Sequence, residues 1–174
     1  MALLNFDRDL GFDYVKMREG AQIEKMYPFS SERKRMNALV KTEAGYRVFC
    51  KGASEIVLTY CKRYLTATGA VEPIEASRRN EIEDSINKYA TDALRTICLA
   101  YCDFTNEEYA ATNWEAPVET DLIFIGVVGI MDPLRPEVVK AIEQCKTAGI
   151  KVRMVTGDSK TLQLLLISRA WSLC

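Results

Sequence analysis

The chain of 174 residues is 48% hydrophobic and 27% charged, which provides enough apolar material for a globular core. Its net charge of -1 gives no overall attraction to nucleic acid or to an anionic membrane, so no nucleic-acid partner is expected. The sequence has no histidine and no Cys-x-x-Cys pair, which disfavours zinc sites and excludes nucleophiles activated by histidine.

The first third of the chain predicts two short helices followed by antiparallel strands. Apolar residues at helical spacing predict a helix that ends before Gly11, and DYVKMREG predicts a second one. Short apolar or alternating runs over residues 23–29, 35–41 and 46–50 predict antiparallel strands. Ser54 is expected to cap a helix over SEIVLTYC.

The remainder of the chain predicts further helices and strands. Residues 75–93 predict an amphipathic helix whose apolar face extends to Leu94, and TICLAYCDF and LIFIGVVGI predict two strands. The polar stretch between these strands is expected to be a surface loop held by Tyr109 and Trp114. After a proline-stiffened connector, PEVVKAIEQCKTAG predicts a helix closed by Gly149, and IKVRMVTGD predicts a buried parallel strand.

The cysteines are expected to be buried thiols rather than disulfide partners, because most of them lie among apolar residues, as in RVFCKG and RTICLAYC. No apolar run approaches the roughly 20 residues of a membrane span.

The first chemical motif is YPFSSERKRM, at residues 27–36. Phe29 could stack a nucleobase while one of the cations Arg33, Lys34 and Arg35 holds phosphate or ribose. The other interpretation is a core phenylalanine beside a solvated run of charges.

The second motif is FCKGASE. Lys51 precedes a Gly-Ala turn at a helix start, which could attract an anionic ligand, and Gly52 would permit its close approach. The alternative is an ordinary strand-to-helix turn with an exposed lysine. The spacing is not that of a Walker loop.

Two more motifs place charged residues at element ends. Arg95, in ALRTICLAY, could pair with Asp92 or Glu83. Asp132 and Asp158 each follow an apolar run, where a metal-phosphate site would be built, although Asp158 could instead cap the last helix.

In order, the motifs YPFSSERKRM, KGASE, ALRTICLAY, GVVGIMDPLRPEV and RMVTGD resemble the cytoplasmic head of P-type ATPases, and among these the calcium-transporting pumps of the plasma-membrane type. The resemblance implies an α+β nucleotide-binding domain over residues 1–131, an antiparallel sheet with flanking helices. It implies a partial Rossmann-like, dehalogenase-type phosphorylation domain of α/β class over residues 132–160, followed by a divergent tail over residues 161–174.

The resemblance also implies a nucleotide site. Phe29 is similar to the family's adenine-stacking aromatic residue. Lys34 and Lys51, with Gly52 beside the latter, resemble the residues that line the pocket, and Arg95 resembles the guanidinium near the phosphates. ATP is therefore the expected ligand.

For the phosphorylation domain, the resemblance implies that Thr156, Gly157 and Asp158 lie near the transferred phosphoryl group and its Mg²⁺. Asp132 and Arg135 would belong to the hinge between the two domains.

The sequence lacks several motifs that the family's pumps carry. It contains no Asp-Lys-Thr-Gly motif for the phosphorylated aspartate, no Gly-Asp-Gly-x-Asn-Asp segment and no Thr-Gly-Glu loop. Ser31 stands where many relatives have an arginine near the nucleotide. The chain alone is therefore expected to be inactive and to hold no catalytic residue and no metal site of its own.

We interpret the sequence as an ATP-binding fragment of a calcium pump, with Met1 an internal methionine of a longer protein. The remainder of the pump would be its partner. The parent would be a membrane protein with this part on the cytoplasmic side, and the fragment alone would be soluble. The alternatives are a stand-alone nucleotide-binding regulatory or interaction module, and a small dehalogenase-type phosphatase. The phosphatase is disfavoured because no predicted strand carries its Asp-x-Asp nucleophile.

Overall fold

The computed structural model describes residues 2–92, 94–131 and 135–153. Within these ranges the chain forms six helices and seven strands. The helices are α1 (Ala2–Asp9), α2 (Tyr14–Gly20), α3 (Ser54–Thr59), α4 (Ala76–Thr91), α5 (Asn106–Ala111) and α6 (Pro136–Thr147). The strands are β1 (Gln22–Tyr27), β2 (Arg35–Thr42), β3 (Gly45–Ala53), β4 (Cys61–Leu65), β5 (Val71–Pro73), β6 (Leu94–Phe104) and β7 (Leu122–Met131).

The strands form one sheet in the order β1-β2-β3-β6-β7-β4-β5. Strand β2 pairs antiparallel with β1 and β3, β3 with β6, and β4 with β5, whereas β4 and β7 run parallel. The expected α+β class is therefore confirmed, and the sheet contains both antiparallel pairs and the parallel pair of β4 with β7. No helix of the described ranges is both long and apolar enough to span a membrane.

The chain divides into two compact units. The first comprises residues 1–80 and 97–128, and the second comprises residues 81–96 and 129–174. The predicted domain boundary after residue 131 stays a prediction.

The core of the first unit follows from the two-residue period of its strands. Because successive side chains of a strand lie on opposite faces, Val48 and Cys50 are buried while Phe49 between them is 42% exposed. On the neighbouring strand β2, Leu39 is buried in the same alternating pattern. One face of the sheet is thus the core, and cross-strand neighbours share it.

The expected capping role of Ser54 is wrong. The N-cap of α3 is Ala53, and no side chain forms a capping hydrogen bond. Ser54 is the first helical residue, and its hydroxyl is buried without a hydrogen-bond partner among the described residues. The helix instead forms because Val57 and Leu58 bury apolar surface, which stabilises a short helix more than its termini do.

The predicted helix over residues 75–93 is shorter than expected. It ends at Thr91, and Leu94 is the first residue of β6 rather than part of the helical face. Ile82 and Ile86, spaced one helical turn apart, are its buried residues.

The stretch between β6 and β7 contains a helix that the sequence interpretation missed. A capping box starts α5: the Thr105 hydroxyl accepts from the Glu108 N–H at 3.2 Å, and the Glu108 carboxylate accepts from the Thr105 N–H at 2.8 Å. The expected role of the two aromatic residues is confirmed. Tyr109 stacks on Tyr46 with ring centroids 3.6 Å apart, and Trp114 lies at right angles to Phe104.

The described residues test the predicted helix after residue 135 but only the beginning of the strand predicted to follow it. Helix α6 is capped at Ala148, and Gly149 follows with a φ of 71° in the left-handed region that glycine adopts readily. Residues 150–153 are not in a strand, and the rest of IKVRMVTGD lies outside the described residues. The dehalogenase-type segment therefore stays a prediction.

The expectation of buried, unbridged thiols is confirmed for most of the described cysteines. All five are free, and only Cys145 is partly exposed. The buried ones are Cys50, Cys61, Cys98 and Cys102.

Candidate functional site

The register of β2 and β3 brings two predicted site lysines to the same end of this strand pair. Lys51 lies opposite Met36 in the antiparallel ladder. The carbonyl oxygen of Lys34, the residue before β2, accepts a hydrogen bond from the Ala53 N–H at 3.0 Å. The backbones of Lys34 and Lys51 therefore lie close together, where β2 begins and β3 ends.

Gly52 is required at this place by the packing of the chain itself. It lies opposite Arg35 in the ladder. A Cβ atom on residue 52 would lie 2.4 Å from the Arg35 Cβ and 2.5 Å from the Lys34 carbonyl oxygen, well inside van der Waals contact. Close approach of the two backbones, rather than the access of a ligand, explains the glycine.

Phe29 lies in the loop of residues 28–34 that joins β1 to β2, and its side chain is 60% exposed. The aromatic core residue of this stretch is instead Tyr27, which is 5% exposed and donates its hydroxyl hydrogen to the Trp114 carbonyl oxygen at 2.7 Å. The interpretation of Phe29 as a core residue is therefore wrong. Its ring is accessible to a planar ligand.

The two lysines present exposed ammonium groups. Across the residues that the structure describes, neither ammonium has an ion-pair or hydrogen-bond partner. Lys34 has a φ of 53°, a left-handed conformation that is uncommon outside glycine, and its N–H donates to the Ser30 carbonyl oxygen at 2.7 Å. Two neighbouring cations without a carboxylate partner favour a polyanionic ligand.

The other two cations of YPFSSERKRM have a different role. The guanidinium groups of Arg33 and Arg35 each form an ion pair with one carboxylate oxygen of Glu119. Arg35 also lies over the Tyr60 ring, 4.4 Å from its centroid. Of the three cations considered from sequence, Lys34 alone has no ion-pair partner within the described part of the chain, so its charge is available for phosphate or ribose.

Glu119 is held as a carboxylate. Burial raises the pKa of the Glu119 carboxyl, but hydrogen bonds from Arg35 and Arg33 lower it by more, so that its pKa lies below the ordinary value. The hydrogen bond to Glu119 raises the pKa of Arg35 in turn. Sequence reasoning missed Glu119, because its partners are 84 and 86 residues away and its polar surroundings look like an ordinary loop.

Arg95 and Arg135 both lie among the described residues of the second unit. Arg95 is an exposed residue near the start of β6 and falls in the second unit. Its role near the phosphates stays a prediction. Arg135 is the N-cap of α6, and its carbonyl oxygen accepts from the Val138 N–H at 3.0 Å without a capping bond from its side chain.

The remaining predicted residues lie outside the described residues: Asp132 of the hinge, and Thr156, Gly157 and Asp158 of the phosphoryl site. In the described ranges, no group of three or more carboxylate or thiol side chains could hold a metal ion.

Comparison with known proteins agrees with this architecture. The family model described as "P-type ATPase, cytoplasmic domain N" matches residues 1–137. The chain is 52% identical over 158 residues to the calcium-transporting ATPase PAT1 of Dictyostelium discoideum, a match that covers 91% of the chain and 14% of that relative.

Two further relatives come from other kingdoms. The plasma membrane calcium-transporting ATPase 4 of Bos taurus is 46% identical over 163 residues, covering 91% of this chain and 13% of the relative. The plasma membrane-type calcium-transporting ATPase 10 of Oryza sativa subsp. japonica is 42% identical over 159 residues, covering 91% of this chain and 15% of the relative.

The chain thus spans only about a seventh of its relatives' length. Because the family model covers most of the chain, this protein belongs to the P-type ATPases and corresponds to their cytoplasmic domain N, with calcium-transporting pumps as its relatives.

Proposed function

We propose that this chain binds ATP, with the adenine ring on Phe29 and the phosphates near Lys34 and Lys51. The observation that carries the proposal is the β2–β3 register, which sets Lys51 opposite Met36 and hydrogen-bonds Ala53 to the Lys34 backbone. Membership of the family supports the choice of ligand.

The chemistry of the three side chains suits ATP better than a smaller anion. Stacking on an exposed aromatic ring contributes on the order of 1–3 kcal/mol per base. Each ammonium group adds a charge-assisted contact to a phosphate oxygen. Phe29 is mostly exposed and the lysines are unpaired within the described residues, so binding need not first break an interaction of theirs. Arg95 is proposed as a further phosphate contact.

We further propose that the chain is part of a pump that couples ATP hydrolysis, through an aspartyl phosphate, to calcium export. The parent would lie in a membrane with this part on the cytoplasmic side. Thr156, Gly157 and Asp158 would lie near the γ-phosphate and its Mg²⁺, and Asp132 and Arg135 would act at the hinge. The chain alone would not hydrolyse ATP, since the sequence has no Asp-Lys-Thr-Gly motif to supply the nucleophile.

A calorimetric titration of the full chain with MgATP tests the binding. We expect a dissociation constant of roughly 0.1–1 mM, and a loss of about tenfold or more in Phe29→Ala and in Lys51→Ala. Phe12→Ala removes an equally exposed phenylalanine, and Lys41→Ala an exposed lysine at the other end of β2, so both controls should bind like the wild type. A wild-type chain that gives no signal at several millimolar ATP would refute the proposal.

A further inference from the structure

Glu119 joins the Phe29 loop to a distant part of the chain. The other side-chain hydrogen bonds at the end of this loop are local. The Arg33 N–H donates to the Ser30 hydroxyl at 3.1 Å, the Arg33 guanidinium donates to the Asn37 amide oxygen at 2.8 Å, and the Arg35 guanidinium donates to the Arg33 carbonyl oxygen at 2.9 Å. Glu119 instead precedes β7 and bonds both arginines across more than 80 residues of sequence.

Arg33 and Arg35 flank Lys34, whose backbone conformation is strained. Lys34 has a left-handed backbone, which for a residue with a side chain persists only where its surroundings fix it. Its N–H and its carbonyl oxygen are both hydrogen-bonded, to Ser30 at 2.7 Å and to Ala53 at 3.0 Å. Glu119 holds the residues on both sides of Lys34, so it constrains the loop end at this strained residue.

Glu119, Arg33 and Arg35 form an ion-pair cluster, here called the Glu119 cluster, whose burial resists rearrangement of its side chains. The side chains of Glu119 and Arg35 are 9% and 10% exposed, and that of Arg33 is 27% exposed. Little water can replace one of these ion pairs, so their rearrangement would leave a desolvated charge. By contrast, the exposed pairs of the same unit, such as Lys62 with Asp121, are open to solvent and to screening by salt.

We propose that Glu119 is a positioning residue of the nucleotide site: by binding Arg33 and Arg35, it fixes the loop that carries Phe29 and Lys34 in its ligand-ready geometry. This inference rests on the proposed ATP site. Glu119 itself need not touch the nucleotide. Its neutral substitution should loosen the loop locally and weaken ATP binding, while the rest of the sheet keeps its order.

Amide hydrogen exchange, followed by NMR on the full chain without nucleotide, tests the first half of the proposal. In Glu119→Gln, we expect the Lys34 and Ala53 amides to exchange roughly tenfold faster, because their hydrogen bonds close the loop end. Amides of the β3 core, such as that of Val48, should keep their wild-type rates. Unchanged rates at Lys34 and Ala53, or an equal increase throughout the sheet, would overturn the proposal.

The matched control is Asp121→Asn. Asp121 lies two residues from Glu119 and pairs with Lys62, and within the described ranges it forms no ion pair or hydrogen bond with the loop of residues 28–34. Its φ of 56° is one that asparagine tolerates, so the change removes a nearby charge without backbone strain. This variant should show wild-type exchange at Lys34 and Ala53.

ATP titration of the same variants tests the second half. We expect Glu119→Gln to bind about fivefold more weakly than the wild type and Asp121→Asn to bind as the wild type does. Equal affinity in Glu119→Gln, despite faster exchange at Lys34, would show that Glu119 holds the loop without serving the site and would refute its positioning role. A wild-type chain that binds no ATP would instead refute the proposed function, and the exchange data would still decide whether Glu119 holds the loop.

Two further variants cover the case in which Glu119→Gln does not fold. Arg33→Gln removes the more exposed arginine and leaves the Arg35–Glu119 pair, so it should raise exchange at Lys34 by a smaller factor. Glu119→Asp keeps the charge and should recover part of the lost protection and affinity. If both variants match the wild type in exchange and in affinity, the proposal fails.

Discussion

Gly52 allows β3 to approach the Lys34 backbone closely, so replacing it should destabilise the folded chain. In Gly52→Ala, the added Cβ would lie 2.4 Å from the Arg35 Cβ and 2.7 Å from the Arg35 Cα. We expect a loss of about 1–3 kcal/mol in the free energy of unfolding, measured by urea denaturation, because backbone atoms must shift. Gly126→Ala is the control, since nothing lies within 4 Å of its added Cβ. Equal stability of the two variants would contradict this account of the site.

The buried thiols should be inert in the folded chain. Burial raises the pKa of Cys50 and of Cys102 to about 12, and a hydrogen bond with Cys61, together with burial, raises the pKa of Cys98. At pH 8 we therefore expect iodoacetamide to modify Cys145 first among these five cysteines. The buried four should react only in denaturant, as peptide mass spectrometry would show. Rapid native-state alkylation of Cys98 would contradict the described core.

At the level of single residues, sequence alone singles out side chains whose type is notable in its local context, such as Phe29 and Lys51. The structure places Phe29 in a loop after β1 and Lys51 in β3, both exposed, and their roles in binding stay predictions. Glu119 could not be found in this way. Its importance comes from tertiary pairing with Arg33 and Arg35, and a single sequence carries no local signal for a partner more than 80 residues away.

At the level of elements, helix α5 should depend on its capping box. Thr105→Ala removes the acceptor for the Glu108 N–H, and we expect it to cost about 1 kcal/mol of stability. Thr59→Ala is a suitable control, because among the described residues the Thr59 hydroxyl bonds only to the Ile56 carbonyl oxygen, one turn back in α3. Chemical denaturation of both variants measures the difference. If Thr105→Ala were no less stable than Thr59→Ala, the capping box would contribute nothing.

The elements that sequence predicted well are those with a clear period. Strand β2 alternates between buried and half-buried positions over most of its length, and β3 alternates between buried and exposed positions over residues 48–51. The short turn between the two strands fixes their register. Strands β4 and β5 were missed because they are short and mostly polar, and their pairing with β7 and with each other supplies the order that local propensity does not. Leu94 fits the helical period of α4 but pairs into β6 instead, a case in which tertiary packing overrides the local pattern.

At the level of the whole molecule, the Glu119 cluster should make folding sensitive to acid. Because the folded-state pKa of Glu119 lies below its ordinary value near 4.5, its stabilising effect is complete above that pH. The effect is lost as the pH falls through the lower, folded-state pKa. Between pH 6 and pH 3, the free energy of unfolding should therefore fall more steeply for the wild type than for Glu119→Gln. Parallel pH profiles from urea denaturation would show that Glu119 is not held as described.

If Phe29, Lys34 and Lys51 form one ATP site, an NMR titration of the ¹⁵N-labelled chain with MgATP should show it directly. We expect the amide shifts to change chiefly in the loop of residues 28–34 and at residues 50–53 at the end of β3. The turn at the opposite end of the β2–β3 pair, residues 43–44, should keep its amide shifts unchanged. Shifts confined to other parts of the chain, or none at several millimolar ATP, would contradict the shared site.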